Sequence, residues 1–409
     1  MATYSQDQAT RPLPPPPSDW QPEEQPKPVR RKNRGLGKVL AVILILLLLL
    51  SVLLYTPIGK NFLSSLNGES YSESSSFILE RKLVIDISSG EINYLCDIPV
   101  PESFGPSDSP IQEVSETSFS AGAEEFEKYG QGWVQWSGSD GSQVIMTATF
   151  GANVRTVIWD MDAENSGTAA DIPGTLVDLQ CGNEWAVLNA QDQPTGEFKI
   201  WPDNPEIISL ADELSSEGAT VYENVQAVYG YLRDNLEYQA ISGSEPKSCT
   251  ETLEDGTGDC DDQSILLISL LRSIGIPAWL AFGVLYDGVR DEWGPHAWAE
   301  VYMPYADSGG EAMAIDIVND EFLIRNCNRL EEWKSDGNGD HLSDYYHLLS
   351  YNYTVTGPHG SIPDVSLEDT FRGDYTDSDA KVYAKLVSED IRAELITAFR
   401  GTLAPRKVF

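Results

Sequence analysis

Apolar spacing divides most of the chain into two textures. From Ser76 to about Lys199 the apolar residues fall in short β-type runs, among them FILERKLVIDI, EINYLCDIPVP, SQVIMTATFG and EFKIW, separated by clusters of Gly, Ser, Asp and Pro. Such runs, broken by turn residues and lacking a helical period, predict an antiparallel sandwich over 76–200. Near Asn204 the spacing changes. Val221, Val225, Val228, Leu232 and Leu236 follow at intervals of four, three, four and four, the stripe of an amphipathic helix. In CDDQSILLISLLRSIG, Ile265 to Ile268, Leu270, Leu271 and Ile274 cover nearly every face, which predicts a buried central helix. Gly275 stands where a left-handed cap ends a helix, and Pro277 prevents continuation. The β-type runs AWLAFGVLY, AWAEVYM and AMAIDIV follow, so 204–360 reads as α+β, a core helix laid on an antiparallel sheet. Residues 361–409 read as an acidic, irregular tail with a terminal helix over Ser378–Arg400.

A third pattern precedes both. Val39 to Tyr55 is a run of seventeen residues with only Ser51 and Tyr55 polar, about 26 Å as a helix and the short end of a bilayer span. Lys27, Arg30, Arg31, Lys32, Arg34 and Lys38 sit just upstream, and no A-x-A cleavage site follows. These features predict a retained transmembrane helix over 39–55 with the N-terminus cytoplasmic and the bulk of the chain extracellular. Residues 1–38, with the PLPPPP run, then form a disordered cytoplasmic segment, and 56–75 a stalk.

Charge narrows the partners. The chain has 409 residues, 27 basic and 64 acidic, a net charge of −37. A surface that negative repels nucleic acid and anionic lipid. The five cysteines are Cys96, Cys181, Cys249, Cys260 and Cys327. Outside the cell such residues pair, and one bridge in each half, Cys96–Cys181 and Cys249–Cys327, is the most economical of three connectivities, leaving Cys260 over. No CxxC occurs and there are four histidines, which argues against zinc. Asp336, Asn338, Asp340 and Asp344 show the 1, 3, 5, 9 spacing of some calcium loops, without the usual glycine and glutamate, so a structural calcium is an option beside a solvated turn.

Cys260 opens the buried helix, where the helix dipole and unsatisfied amides favour a thiolate and offer a donor to an oxyanion. His296 begins the run AWAEVYM, and Asp316 lies in the run after it; a hairpin brings the start of one strand opposite the end of the next. A nucleophile, a base and an orienter thus stand in the order Cys, His, Asp. Asp255, Asp259, Asp261 and Asp262 crowd the thiol and should raise its pKa.

Residues 219–318 resemble the transglutaminase-like superfamily, a papain-related fold. The resemblance lies in ENVQAVYGYLRDNLEY, TGDCDDQSILLISLLRSIGIPAWLAFG, GPHAWAEVYMP and AMAIDIVND, and the β-rich segment ahead is similar to domains preceding such cores in microbial proteins. It implies Cys260 as nucleophile, His296 as base and Asp316 as the third member, with no cofactor. The family's third motif commonly carries Trp and then Asp-Pro-Thr, and AMAIDIVND lacks both the tryptophan and the proline; Asp320, beyond the strand, is the less favoured substitute for Asp316. Trp293 and Gln263 are candidates for a side-chain oxyanion donor. The expected protein is a membrane-anchored α+β cysteine enzyme with a transglutaminase-like core behind a sandwich. It would act on amide or peptide bonds of surface protein or peptide substrates by hydrolysis or acyl transfer. A non-catalytic binding or structural module is the alternative.

Overall fold

The structure is a computed structural model and describes residues 70–240, 245–355 and 362–383. The first half forms strands β1 (Ser74–Ile87), β2 (Ile92–Pro99), β3 (Gln112–Phe119), β4 (Ala123–Lys128), β5 (Gln131–Asp140) and β6 (Val144–Arg155). In β1 the alternation of Phe77, Leu79, Leu83 and Ile85 with polar residues points one face inward, as the two-residue period of a strand requires. These side chains meet Ile92, Cys96 and Ile98 of β2 and Trp136 of β5 in one apolar core.

The second half supplies α1 (Pro205–Leu214), α2 (Val221–Asn235), α3 (Cys249–Asp255) and α4 (Cys260–Ser273). It then lays down β7 (Ala278–Asp287), β8 (Glu292–Pro304), β9 (Gly310–Asp316), the two-residue β10 (Glu321–Phe322) and β11 (Arg329–Lys334). The sheet order is β10-β9-β8-β7-β11. Helix α4 is buried from Asp262 to Arg272 and packs on this sheet. Gly275, with φ 77°, makes the left-handed exit.

The chain then passes through α5 (Gly339–Tyr346) and returns to the first half as β12 (Leu349–Tyr353) and β13 (Val365–Asp377). The two sandwich sheets are β13-β1-β6-β3 and β12-β2-β5-β4, so each is completed by a strand from beyond the core. Strand β13 pairs with β1 from Ile87↔Val365 to Ser75↔Asp377. This corrects the expectation of an irregular tail after Ser361. Val365, Leu367, Phe371 and Tyr375 follow the strand period, and the interruption at Asp369 is an inward carboxylate paired with buried Arg81 at 2.6 Å. Most of the proposed terminal helix lies outside the described residues.

Three further expectations are corrected. Among the described residues no helix is long and apolar enough to cross a membrane, so the single-pass, cell-membrane placement is not supported; residues 1–69, and with them the run 39–55, lie outside the described residues. All five cysteines are free. Cys249 and Cys327 belong to different apolar clusters, which separates the two members of that expected bridge. The proposed calcium residues do not form a loop around a common centre. Asn338 caps α5, the Asp336 carboxylate meets His341 Nδ1 at 2.8 Å, and Asp344 accepts from Tyr129 Oη at 2.6 Å.

Candidate active site

The hairpin β7–β8 places His296. Its turn is fixed by Asp287 Oδ1, which accepts from the amides of Val289 (2.7 Å) and Arg290 (3.0 Å), a side-chain mimic of a backbone turn. The register sets Gly283 opposite His296 and Phe282 opposite Ala297. Across the next pair Ala299 faces Ile315, so Asp316 comes level with Trp298 and diagonally adjacent to His296 on the same face. The outcome is a 2.6 Å contact between His296 Nε2 and Asp316 Oδ2. Both side chains are buried.

Asp316 is held by more than the histidine. Asn319 Nδ2 donates to Oδ2 at 2.8 Å and its backbone N–H to Oδ1 at 3.2 Å. Arg329 Nη1 reaches Oδ2 at 3.1 Å, while Nη2 of the same guanidinium binds Glu321. The Arg329 guanidinium also lies 5.2 Å from the Trp298 ring centroid. Burial opposes ionisation of Asp316, but contacts from His296, Arg329 and Asn319 outweigh it and hold the carboxyl well below the usual range. Glu321 goes the other way: burial, joined by the Asp316 charge against the opposing pull of Arg329, raises it to about 7.

Cys260 begins α4 and is half-buried at the floor of a cleft of about 470 Å³ that His296 and Ala297 also line. Burial drives its pKa well above the ordinary thiol value, Asp261 and Asp259 add to the rise, and a hydrogen bond from the Ala297 amide opposes it. His296 is lowered by burial and further by Arg329, against the raising influence of Asp316. Burial thus favours the neutral form of each group.

The aspartates around the thiol are engaged by the protein. Asp261 accepts from Tyr346 Oη at 2.7 Å, and Asp262 from the amides of Lys247 (2.6 Å) and Asp259 (3.1 Å). Carboxylate oxygens of Asp259, Asp261 and Asp262 lie within 4.8 Å of one another; the bonds just described engage those of Asp261 and Asp262. The two candidates for a side-chain oxyanion donor are turned elsewhere: Gln263 Nε2 donates to the Gly258 carbonyl at 2.8 Å and Trp293 Nε1 to that of Gly373 at 3.3 Å. Asp320 sits in a turn with φ 56°.

Residues 208–310 match the transglutaminase-like superfamily. This part of the chain is a transglutaminase-like domain. The match contains Cys260 and His296 and ends before Asp316. A candidate cysteine protease from Cytophaga hutchinsonii superposes with a TM-score of 0.53 at 15% identity, covering 76% of this chain and 93% of that one. At that identity the likeness speaks for the fold alone, and it extends beyond the transglutaminase-like segment. A second candidate protease, from Parabacteroides distasonis, shares 14% identity over 63% of each chain with a TM-score of 0.22, too low to carry an argument. No curated protein matches the chain.

Sequence reasoning missed Asn319, Arg329 and Glu321. Asn319 was findable in part, since an aspartate side chain commonly accepts from a backbone N–H a few residues on, as Asp316 does from Asn319. Arg329 and Glu321 carried no such signal, because charged residues in a short strand read as solvent-facing.

Proposed function

We propose that the transglutaminase-like domain is a cysteine acyl-transfer enzyme acting on carboxamide or peptide bonds. The observation that carries this reading is the buried His296–Asp316 contact, whose histidine lines the same cleft as Cys260. With Nε2 engaged by Asp316, proton exchange with the thiol falls to Nδ1 of His296. The thiol loses its proton to His296 as sulfur attacks the carbonyl carbon, and the carbon–nitrogen bond breaks as His296 returns that proton to the leaving amine. The product is a thioester, released by water in hydrolysis or by a second amine in transfer. Asp316 holds the imidazole tautomer and balances its transient charge. Stabilisation of the oxyanion falls to backbone amides at the start of α4.

One observation favours a non-catalytic binding module instead: burial and the flanking aspartates raise the thiol pKa. Alkylation of Cys260 by iodoacetamide at neutral pH, followed by peptide mass mapping, separates the two. In the enzyme reading labelling of Cys260 depends on proton transfer to the imidazole, so His296→Ala slows it about 100-fold or more, the scale of a lost general base. Equal labelling in wild type and variant would falsify the acyl-transfer reading. Peptide cleavage against amine incorporation then distinguishes hydrolysis from transfer.

A further inference from the structure

The cleft over Cys260 carries a charge pattern that acyl transfer does not require. Among the described residues its wall includes Glu245, Asp259, Asp261, Asp262, Asp287 and Glu292, against Arg290 as the one lysine or arginine. Six acidic groups to one exceeds the 64 to 27 of the whole chain, so bulk composition does not account for it. Charge of one sign in a cleft with apolar walls focuses the field and concentrates ligands of the opposite sign.

Asp287 marks where such a ligand would bind. It is 2% exposed at the end of β7. Its Oδ1 serves the turn, whereas Oδ2 is buried and accepts no hydrogen bond. The Arg290 guanidinium stands 3.6 Å from Oδ2 and 3.7 Å from Glu292, loose contacts for a side chain that is 54% exposed. A buried carboxylate oxygen without a donor is unfavourable, and a charge-assisted donor relieves it. Asp287 pairs with Glu292 and Gly283 with His296. Alternate residues share a face, so the two acids lie on the face that carries His296, four residues along, about 13 Å at the rise of a strand. Tyr238 and Tyr346 add aromatic rings to the cleft, surfaces that favour a cation over an anion.

We infer that the cleft selects a cationic substrate: a peptide with a Lys or Arg side chain about four residues from the attacked carbonyl, bound by Asp287 with Glu292 while Arg290 swings into solvent. The inference rests on the acyl-transfer reading for its substrate geometry. A peptide acidic at that position is repelled by the same field.

Three fluorogenic peptide amides, identical except for Arg, citrulline or Glu at the fourth residue before the reporter, test it. With the wild-type protein, kcat/KM is expected to favour Arg over citrulline by about tenfold, the scale of one charge-assisted hydrogen bond, with Glu lowest. Asp287→Asn, which keeps an acceptor for the turn, and Glu292→Gln, which leaves the turn untouched, should each collapse the Arg-to-citrulline ratio towards one. A ratio near one in wild type, or a ratio that survives both substitutions, overturns the inference. Fluorescence anisotropy of the same peptides on Cys260→Ser reads the selectivity without chemistry. Arg-selective binding there with no turnover in wild type sinks the enzyme reading and keeps the cationic site; turnover without Arg selectivity does the reverse.

Discussion

At the scale of residues, the site is set by competition for one carboxylate. Asp316 Oδ2 is shared by His296, Asn319 and Arg329, and the guanidinium is itself shared with Glu321. Arg329 therefore weakens the imidazole as a base while fixing its orienter. Burial and two charged groups set the imidazole's charge: Asp316 raises its pKa, whereas burial and Arg329 lower it; Cys260 of α4 lines the same cleft. Cys260 is raised and His296 lowered, directions that oppose a preformed thiolate–imidazolium pair. The rate of Cys260 alkylation should climb from about pH 6 to beyond about pH 9, past the ordinary histidine and thiol values. A flat rate from acid pH upward would instead mean a preformed ion pair. Arg329→Gln removes an influence that lowers His296 and should move the acid limb to higher pH, whereas Arg329→Lys should leave it near wild type. An unmoved limb in Arg329→Gln would reduce Arg329 to a packing role. Of this set, Cys260, His296 and Asp316 were singled out in the sequence by order, helix start and strand spacing and above all by the resemblance to the transglutaminase-like superfamily. Arg329 and Glu321 were not, since a buried ion pair leaves the same letters in a sequence as an exposed one.

At the scale of elements, the site depends on strands lying closer than side chains allow. Gly283 stands opposite His296, and a Cβ there would lie 1.8 Å from the Leu330 carbonyl oxygen of β11. Gly283→Ala must push β7 from β11 and carry His296 with it. We expect a loss of about 1–3 kcal/mol in urea unfolding, as for overpacking, together with an activity loss larger than stability explains. Normal alkylation kinetics in that variant would show that the register is not what positions His296. The apolar helix α4 and the stripe of α2 could be read directly because one period governs each. Strands β3 and β4 could not: QEVSETSF and AEEFEK are edge strands with exposed, charged faces, and edges are kept polar to block further pairing.

At the scale of the molecule, the sandwich and the transglutaminase-like sheet share their interior. Val284, Trp293, Cys327 and Leu330 sit in the same apolar cluster as the strands of the sandwich. Arg81 of β1 bridges Glu332 of β11 at 3.1 Å and Asp369 of β13 at 2.6 Å. We expect one cooperative unfolding transition by both fluorescence and circular dichroism; two separated transitions would show independent folding of the parts. Arg81→Met leaves Glu332 buried without its cation and should lower stability by about 3–5 kcal/mol, most of it recovered on adding Glu332→Gln. Non-additivity absent from that cycle would mean that the bridge does not join the two parts. The pairing of β1 with β13 also bears on biogenesis. Strand β1 emerges from the ribosome first, and its partner Val365–Asp377 is made some 290 residues later. At roughly 5–20 residues per second that is a wait of about 15–60 s. Until then the inner edge of β1 and the Arg81 guanidinium lie open. A nascent chain stalled before Val365 should be protease-sensitive along β1 and the strands paired with it, because the strand that closes this sheet on β1 has not yet been made.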